Sequence, residues 1–357
     1  MRTQVGILGI GTYLPHEVRG NDWWPAETVR QWTAAKARPA AAEPPVFASD
    51  GERLASLAMA ALADDPFRGA RERRVMAQGM ESSDMETLAA REALANAGVD
   101  PGEIDLLLGY AVCPDFLTAP NACRVHRQLG LSARCLTVGT EAACNSFLAQ
   151  LALAEEMIAG GRRRFALLVQ SAAFSRLLAY DQPHSAWFGD GAAAVVIGHV
   201  AEGHGVIGRS HFTSGENHRA LVAGVPQRRW HEAGNTIIYN DDPGAASRMM
   251  RASLDRARHV VMEALAEAGL GPADVGFYAC HQALRWLREA TQAYIGMNRA
   301  ATIDTFAPFA SLGAANLPLV LAIADRERLL CDGQVVSMFS AGAGETCSSV
   351  VLRWGRG

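Results

Sequence analysis

Glu92-Ala93-Leu94-Ala95-Asn96-Ala97-Gly98-Val99-Asp100-Pro101-Gly102-Glu103-Ile104 aligns without a gap with Glu263-Ala264-Leu265-Ala266-Glu267-Ala268-Gly269-Leu270-Gly271-Pro272-Ala273-Asp274-Val275. The offset is constant at 171 residues (263 − 92). Each copy reads as a helix closed by glycine at its C-terminal end, then a proline turn, then a strand. So long a spacing is no solenoid period; it describes two related α/β halves, each about the size of a domain. The expected division places residues 1–200 in one half and 201–357 in the other, with an active site between them.

In the first half, Glu141-Ala142-Ala143-Cys144-Asn145-Ser146-Phe147 sets a cysteine between two apolar stretches. Cys135-Leu136-Thr137-Val138 reads as a short buried strand before it. Phe147, Leu148, Leu151, Met157 and Ile158 recur at helical spacing after it, up to Gly160-Gly161. A thiol in the first turn of that helix faces unpaired backbone N–H groups and the positive end of the helix dipole, and both favour thiolate. Cys144 is read on that ground as a nucleophile, against the alternative of a small buried hydrophobe. In the second half, Val275-Gly276-Phe277-Tyr278-Ala279-Cys280 is an apolar strand that delivers His281 to the start of a helix, Leu284 to Ala293. A lone histidine is as readily structural. A cysteine and a histidine at equivalent strand–helix junctions weigh more together, because a thiolate nucleophile needs an imidazole as base, acid or ion-pair partner.

Further pieces occur in a fixed order: Gly6-Ile7-Leu8-Gly9-Ile10-Gly11-Thr12-Tyr13-Leu14-Pro15, Gly69-Ala70-Arg71-Glu72-Arg73-Arg74, the Cys144 turn, Trp187-Phe188-Gly189-Asp190-Gly191-Ala192-Ala193-Ala194-Val195-Val196, His281-Gln282-Ala283, and Gly342-Ala343-Gly344-Glu345-Thr346. Together they resemble the thiolase superfamily, and within it the β-ketoacyl-acyl-carrier-protein synthase III family, over nearly the whole chain. The resemblance implies an α/β protein with the five-layer αβαβα thiolase-like fold, working as a homodimer with a Cys-His-Asn triad. It makes Cys144 the acyl-accepting nucleophile and His281 the triad histidine. It assigns the oxyanion hole to the backbone N–H groups of Cys144 and Ala343, and substrate contacts to Ala119, Phe188, Leu284 and Trp286. It implies no bound cofactor and no metal; the substrates are a coenzyme A or carrier-protein thioester and a small-molecule acceptor.

The third triad position departs from that pattern. The family's Gly-Asn pair before a proline corresponds to Phe309-Ala310-Ser311-Leu312-Gly313-Ala314-Ala315-Asn316-Leu317-Pro318, so Ser311 stands where the asparagine belongs and Asn316 falls inside the following helix. In decarboxylative condensation the histidine and asparagine together hold the enolate oxygen, whereas transfer of an acyl group to a ready nucleophile needs only the acyl-cysteine and a base. After the histidine motif the family's Asn-X-Arg is replaced by Leu284-Arg285-Trp286, which removes the usual pantetheine contact. The segment from Thr33 to Pro45 is longer than the family pattern and reads as a solvated linker or, alternatively, as a lid beside Trp23 and Trp24. Gly189-Asp190-Gly191 reads as a structural turn rather than a phosphate loop. Glu141 reads as a partner for backbone or arginine, or as a second acid–base group. The expected function is therefore acyl transfer in specialised metabolism. The alternatives are a decarboxylating synthase and a non-catalytic partner subunit, and an intact Cys144 and His281 count against the latter.

Composition sets outer limits. The 357 residues are 49% hydrophobic and 20% charged, ordinary for a protein with a large core. A net charge of −4 gives no reason to expect nucleic acid as a partner. Seven irregularly spaced cysteines, an odd number, and no leader pattern point to free thiols in the cytoplasm. Cys113, Cys123 and Cys135 do not have zinc-site spacing. No apolar run reaches the roughly 18 residues of a membrane span. Arg71, Arg73, Arg74 and Arg285 are candidates to meet phosphates or an acidic carrier, or else form ion pairs and a solvated face.

Overall fold

The computed structural model describes residues 4–35 and 46–355, so most of the alanine-proline segment, 36–45, lies outside the described residues. Two sheets carry the fold. The first comprises β1 (Val5–Tyr13), β2 (Leu106–Ala111), β3 (Leu136–Gly139), β4 (Ala166–Ala173) and β5 (Asp190–His199), in spatial order β1-β5-β4-β2-β3. The second comprises β6 (Gly205–Thr213), β7 (Phe277–Cys280), β8 (Val335–Gly342) and β9 (Thr346–Arg353), in order β7-β8-β9-β6. In each sheet the strand of the sequence repeat pairs in parallel with its inner neighbour, β2 with β4 and β7 with β8, and antiparallel pairs follow beyond.

Seven helices cover these sheets: α1 (Asp50–Ala61), α2 (Ser82–Ala97), α3 (Asn121–Leu129), α4 (Ser146–Ala159), α5 (Pro243–Glu267), α6 (Arg285–Ile295) and α7 (Asn316–Arg326). The repeat persists as structure. Gly98 after α2 has φ 64° and Gly269 after α5 has φ 69° (98 + 171 = 269), the left-handed turn that glycine takes without a Cβ penalty. The turns Pro101–Glu103 and Pro272–Asp274 follow, then β2 from Leu106 and β7 from Phe277.

Side-chain alternation along the strands fixes the layers. Leu106 and Leu108 of β2, Phe277 and Ala279 of β7, and Val336 and Met338 of β8 enter one central core with Phe147, Leu148 and Leu151 of α4 and Leu317, Val320 and Leu321 of α7. The opposite faces bury Leu107 with α2 and α3, and Tyr278, Cys280 and Phe339 with α5. The order is thus α2/α3, first sheet, α4/α7, second sheet, α5/α6, the five-layer αβαβα fold. Strands covered on both faces read as continuous apolar runs, and a helix held between two sheets is apolar nearly all round. No described helix is long and apolar enough to cross a membrane.

Several local expectations change. The strand at 135–138 is β3 at a sheet edge, with Leu136 and Val138 more than a third exposed rather than buried, because nothing pairs on its outer side. In the second sheet no named strand stands outside β7. Ala301 takes that place, accepting from the Tyr278 amide at 2.8 Å and donating to Gly276 O at 2.9 Å. The α6 helix starts at Arg285, with Leu284 as its N-terminal cap, so His281 lies ahead of it in the connecting segment. The linker-or-lid expectation for Thr33 to Pro45 falls mostly outside the described residues, and the chain beyond it forms α1, packed on α5 and α6.

Candidate active site

Cys144 sits on a backbone elbow. Past β3 the chain bends so sharply that Ala143 takes φ 49°, a strained value for a residue with a Cβ. A single 3₁₀ turn, Ala143–Asn145, then feeds α4. Neighbours from both sheets over-determine this bend. Ser146 Oγ accepts from the Ala142 amide (2.9 Å) and donates to Ala143 O (2.7 Å). From the second sheet, Ser340 Oγ donates to Cys144 O (2.8 Å), and Ser348 Oγ accepts from Asn145 Nδ2 (2.8 Å). Only glycine allows β8 to pass the elbow, since a Cβ at Gly342 would collide with Ala142 O.

Cys144 thus stands one turn ahead of α4, not in its first turn. Burial pushes the Cys144 thiol up to about 12, which reverses the thiolate expectation, because desolvation of the anion outweighs the backbone N–H that favours it. The Cys144 amide donates neither of the bonds that close the turn, which come from Asn145 and Ser146. Ala343 lies past the last ladder pair, Gly342 with Thr346, so its amide too is outside the strand pairing.

His281 leaves β7 with its amide bonded to Phe339 O at 2.9 Å. Its ring is buried; the Ala341 carbonyl holds one nitrogen while Nε2 has no partner. That bond assigns the proton to Nδ1 and leaves Nε2 as an unengaged lone pair. Burial pushes the imidazole down to about 4. Cysteine and histidine share one support: Ala341 holds the imidazole, and Gly342 beside it packs on the elbow.

Ser311 is buried, with its amide on Trp187 O (2.9 Å) and its carbonyl accepting from Gly189 N (3.1 Å). Gly313, two residues on, faces the nucleophile closely enough that a Cβ there would lie 3.9 Å from Cys144 Sγ. Asn316 lies in the following helix as expected, as the first residue of α7. Its Oδ1 accepts from the Gln282 amide (2.7 Å) and its Nδ2 donates to Thr305 Oγ1 (3.0 Å). Gln282 is itself tied to Ile303 O (2.7 Å) and to the Thr305 amide (2.9 Å). This network fixes the residue that follows His281.

The repeat relates different residues from those expected. His281 maps onto Tyr110 (281 − 171), and the Cys144 turn maps onto Gly313–Ala315 (313 − 143 = 170). Tyr110, which the motif reading passed over, ends β2 and lies within the electrostatic reach of Cys144 and Glu141. Burial first, and those two groups next, push its phenol upward, so it remains an O–H donor. Applying the offset to His281 is the signal that finds it.

The remaining assignments divide. Phe188 stacks on Phe174 with centroids 4.5 Å apart, and Phe174 also packs where a Gly313 Cβ would stand. Leu284 and Trp286 line a cavity with Trp187. Ala119 stays on the exposed loop 112–120 with Phe116 and Leu117. Glu141 is exposed. Arg73 is not a surface cation: it is buried, bonded to Arg19 O, Asn21 Oδ1 and Ala186 O, and stacked on Trp24. Asp190 is a structural buttress whose two carboxyl oxygens accept from the Met76 (2.8 Å) and Ser175 (2.9 Å) amides.

Residues 139–216 match the family described as 3-oxoacyl-[acyl-carrier-protein] synthase III, and residues 265–354 match the C-terminal part of the same family. A β-ketoacyl-[acyl-carrier-protein] synthase III of Rhodospirillum centenum is 32% identical over 293 residues, covering 80% of this chain and 88% of that protein. Among solved structures, 3-oxoacyl-[acyl-carrier-protein] synthase III from Aquifex aeolicus superposes with a TM-score of 0.78 at 22% identity, over 98% of this chain and all of that one. The priming β-ketosynthase of the R1128 polyketide biosynthetic pathway gives 0.81 at 23% identity, over 99% and 97%.

Proposed function

The chain belongs to the 3-oxoacyl-acyl-carrier-protein synthase III family, and from that premise we propose that it is a thioester-dependent acyltransferase loading its acyl group on Cys144. His281 Nε2 takes the thiol proton as sulfur attacks the thioester carbonyl. The amides of Cys144 and Ala343 receive the oxyanion, and the coenzyme A or carrier thiol leaves with the proton from His281. An acceptor then gives its proton to the same nitrogen and attacks the acyl-cysteine, and the released Cys144 sulfur is reprotonated. The acceptor belongs to specialised metabolism, by analogy from the altered triad, and the enzyme works as a cytoplasmic homodimer.

One observation carries transfer over condensation: among the described residues of this motif, no asparagine is left free to take the missing donor's part. Ser311 holds its position, and Asn316 is engaged at both ends by Gln282 and Thr305. Decarboxylation needs two donors on an enolate oxygen, and losing one oxyanion donor costs about 10²–10³ in rate. A decarboxylating synthase is the second reading, favoured by the name of the curated relative at 32% identity.

Acyl loading and release of carbon dioxide from malonyl-coenzyme A separate the two. Intact protein should gain one acyl mass from a thioester, and Cys144→Ala should lose it. The parent should transfer acyl groups without releasing carbon dioxide. Ser311→Ala should stay within about tenfold of the parent in transfer, the loss of one neutral hydrogen bond. Brisk release coupled to a β-keto product overturns the acyltransferase reading. Labelling of a partner chain in place of Cys144 favours the non-catalytic subunit.

A further inference from the structure

Helix α1 is clamped at one end and roofs a void at the other. Near its N-terminus Ser49 Oγ donates to Asp255 Oδ2 (2.5 Å), the Tyr294 hydroxyl donates to Asp255 Oδ1 (2.8 Å), and Arg251 Nε donates to Glu52 Oε1 (2.7 Å). The first and third bonds fasten it to α5, and the second ties α5 to α6. At the other end a cavity of about 370 Å³ opens between Met59, Leu62, Trp187, Met250, Leu284 and Trp286. That volume lies in the range of roughly 300–1,000 Å³ found for small-molecule sites, and an apolar wall with few polar groups is their usual lining.

The polar group here is Arg68. It is partly buried in the cavity wall, its guanidinium carbon 5.7 Å from the Trp187 ring centre, with one long contact from Nη1 to Met59 O (3.4 Å). It forms none of the ion pairs among the described residues. Asp65, three residues earlier, commits both carboxyl oxygens to the Phe67 and Gly69 amides. Asp64 and Asp65 act on it only through space, with no carboxylate in ion-pair contact among the described residues, and a partly desolvated cation in an apolar wall without a contact partner suits a ligand that brings an anion. Two lining residues are connected to the candidate site: Leu284 follows His281 by three residues, and Trp187 O accepts the Ser311 amide.

We propose that this cavity binds the acceptor, an organic acid with an aromatic or similarly bulky apolar body whose carboxylate pairs with Arg68 and whose nucleophilic end points toward His281. The assignment rests on the acyl-transfer reading and adds the acceptor's chemical class to it. Leu284 and Trp286, in place of the family's asparagine and arginine, exchange a polar hold on pantetheine for an apolar wall.

Calorimetric titration of the full chain with 1-naphthoate and with neutral 1-naphthalenemethanol tests it. Naphthoate should bind with one-to-one stoichiometry, about tenfold more weakly in Arg68→Gln, as expected for loss of one hydrogen bond to a charged group. The neutral alcohol should not distinguish Arg68→Gln from the parent. Ala60→Trp, which fills the cavity, should abolish binding of both. If that variant does not fold, the contrast of acid and alcohol in Arg68→Gln still decides. Absence of saturable naphthoate binding, binding indifferent to Arg68→Gln, or displacement of naphthoate by coenzyme A overturns the proposal. Cys144 loading is measured on the same parent protein. Loading without naphthoate binding removes this assignment alone, whereas binding without loading removes the acyl-transfer reading and with it the acceptor role, leaving only an organic-acid site.

Discussion

A thiol pushed up to about 12 and an imidazole pushed down to about 4 do not form a resting ion pair, because both shifts favour the neutral partners. On the proposed mechanism, Cys144 is activated only as its proton moves to His281 during attack. Alkylation of Cys144 by iodoacetamide should therefore rise about tenfold per pH unit between pH 7 and 10 with no plateau near neutrality, since only thiolate reacts. A plateau below pH 8 identifies an ion pair instead. Side-chain type and motif were enough to single out Cys144, His281 and Ser311 as candidates from the sequence. Their protonation was not legible. The dipole argument weighs one local influence, whereas desolvation depends on what covers the thiol, and that cover comes from β8 and the Gly313 turn, far away in sequence. Arg73 hid for the same reason, since its three acceptors lie at residues 19, 21 and 186.

At the level of elements the repeat was legible almost residue for residue, since capping glycine, proline turn and strand onset are local signals. What the repeat pairs was not. Sheet neighbours are non-local, so β3 became an edge, and the counterpart of His281 proved to be Tyr110 rather than the cysteine. The start of α7 shows how an element positions a candidate residue it does not contain. Asn316 caps nothing in its own helix; it holds the Gln282 amide and so the backbone just after His281. Asn316→Ala leaves that buried amide without an acceptor, which should cost about 1–3 kcal/mol in urea denaturation. Displacement of the imidazole should lower kcat of transfer by about 10- to 10²-fold with little change in KM for the thioester. Loss of stability with kcat intact confines Asn316 to a structural role.

Across the whole molecule, two buried groups in different layers set opposing pH limits. His281 sits behind the second sheet's β7 with its pKa near 4 against an ordinary 6.5. Between those values the unfolded chain takes up a proton that the folded one refuses, so stability falls on acidification through this window, by about 3 kcal/mol in all. Glu86 of α2 does the reverse. Ser171 Oγ (2.5 Å) and Asn121 Nδ2 (3.1 Å) bond its Oε1, Oε2 has no partner, and burial pushes the carboxyl up to about 8 from 4.5. Between those values the folded state holds a proton that the unfolded chain has released, so stability present below pH 4.5 is lost as pH rises toward 8. Nothing in Ser82-Ser83-Asp84-Met85-Glu86-Thr87 distinguishes this glutamate from a solvated one; only the packing of α2 on β4 and α3 buries it. Glu86→Gln keeps the shape and removes the titration. Urea midpoints of the parent should fall relative to those of Glu86→Gln between pH 6.5 and 8.5, since His281 contributes equally to both proteins, so that the variant gains on the parent as pH rises. Parallel curves for the two proteins refute a buried, protonated Glu86.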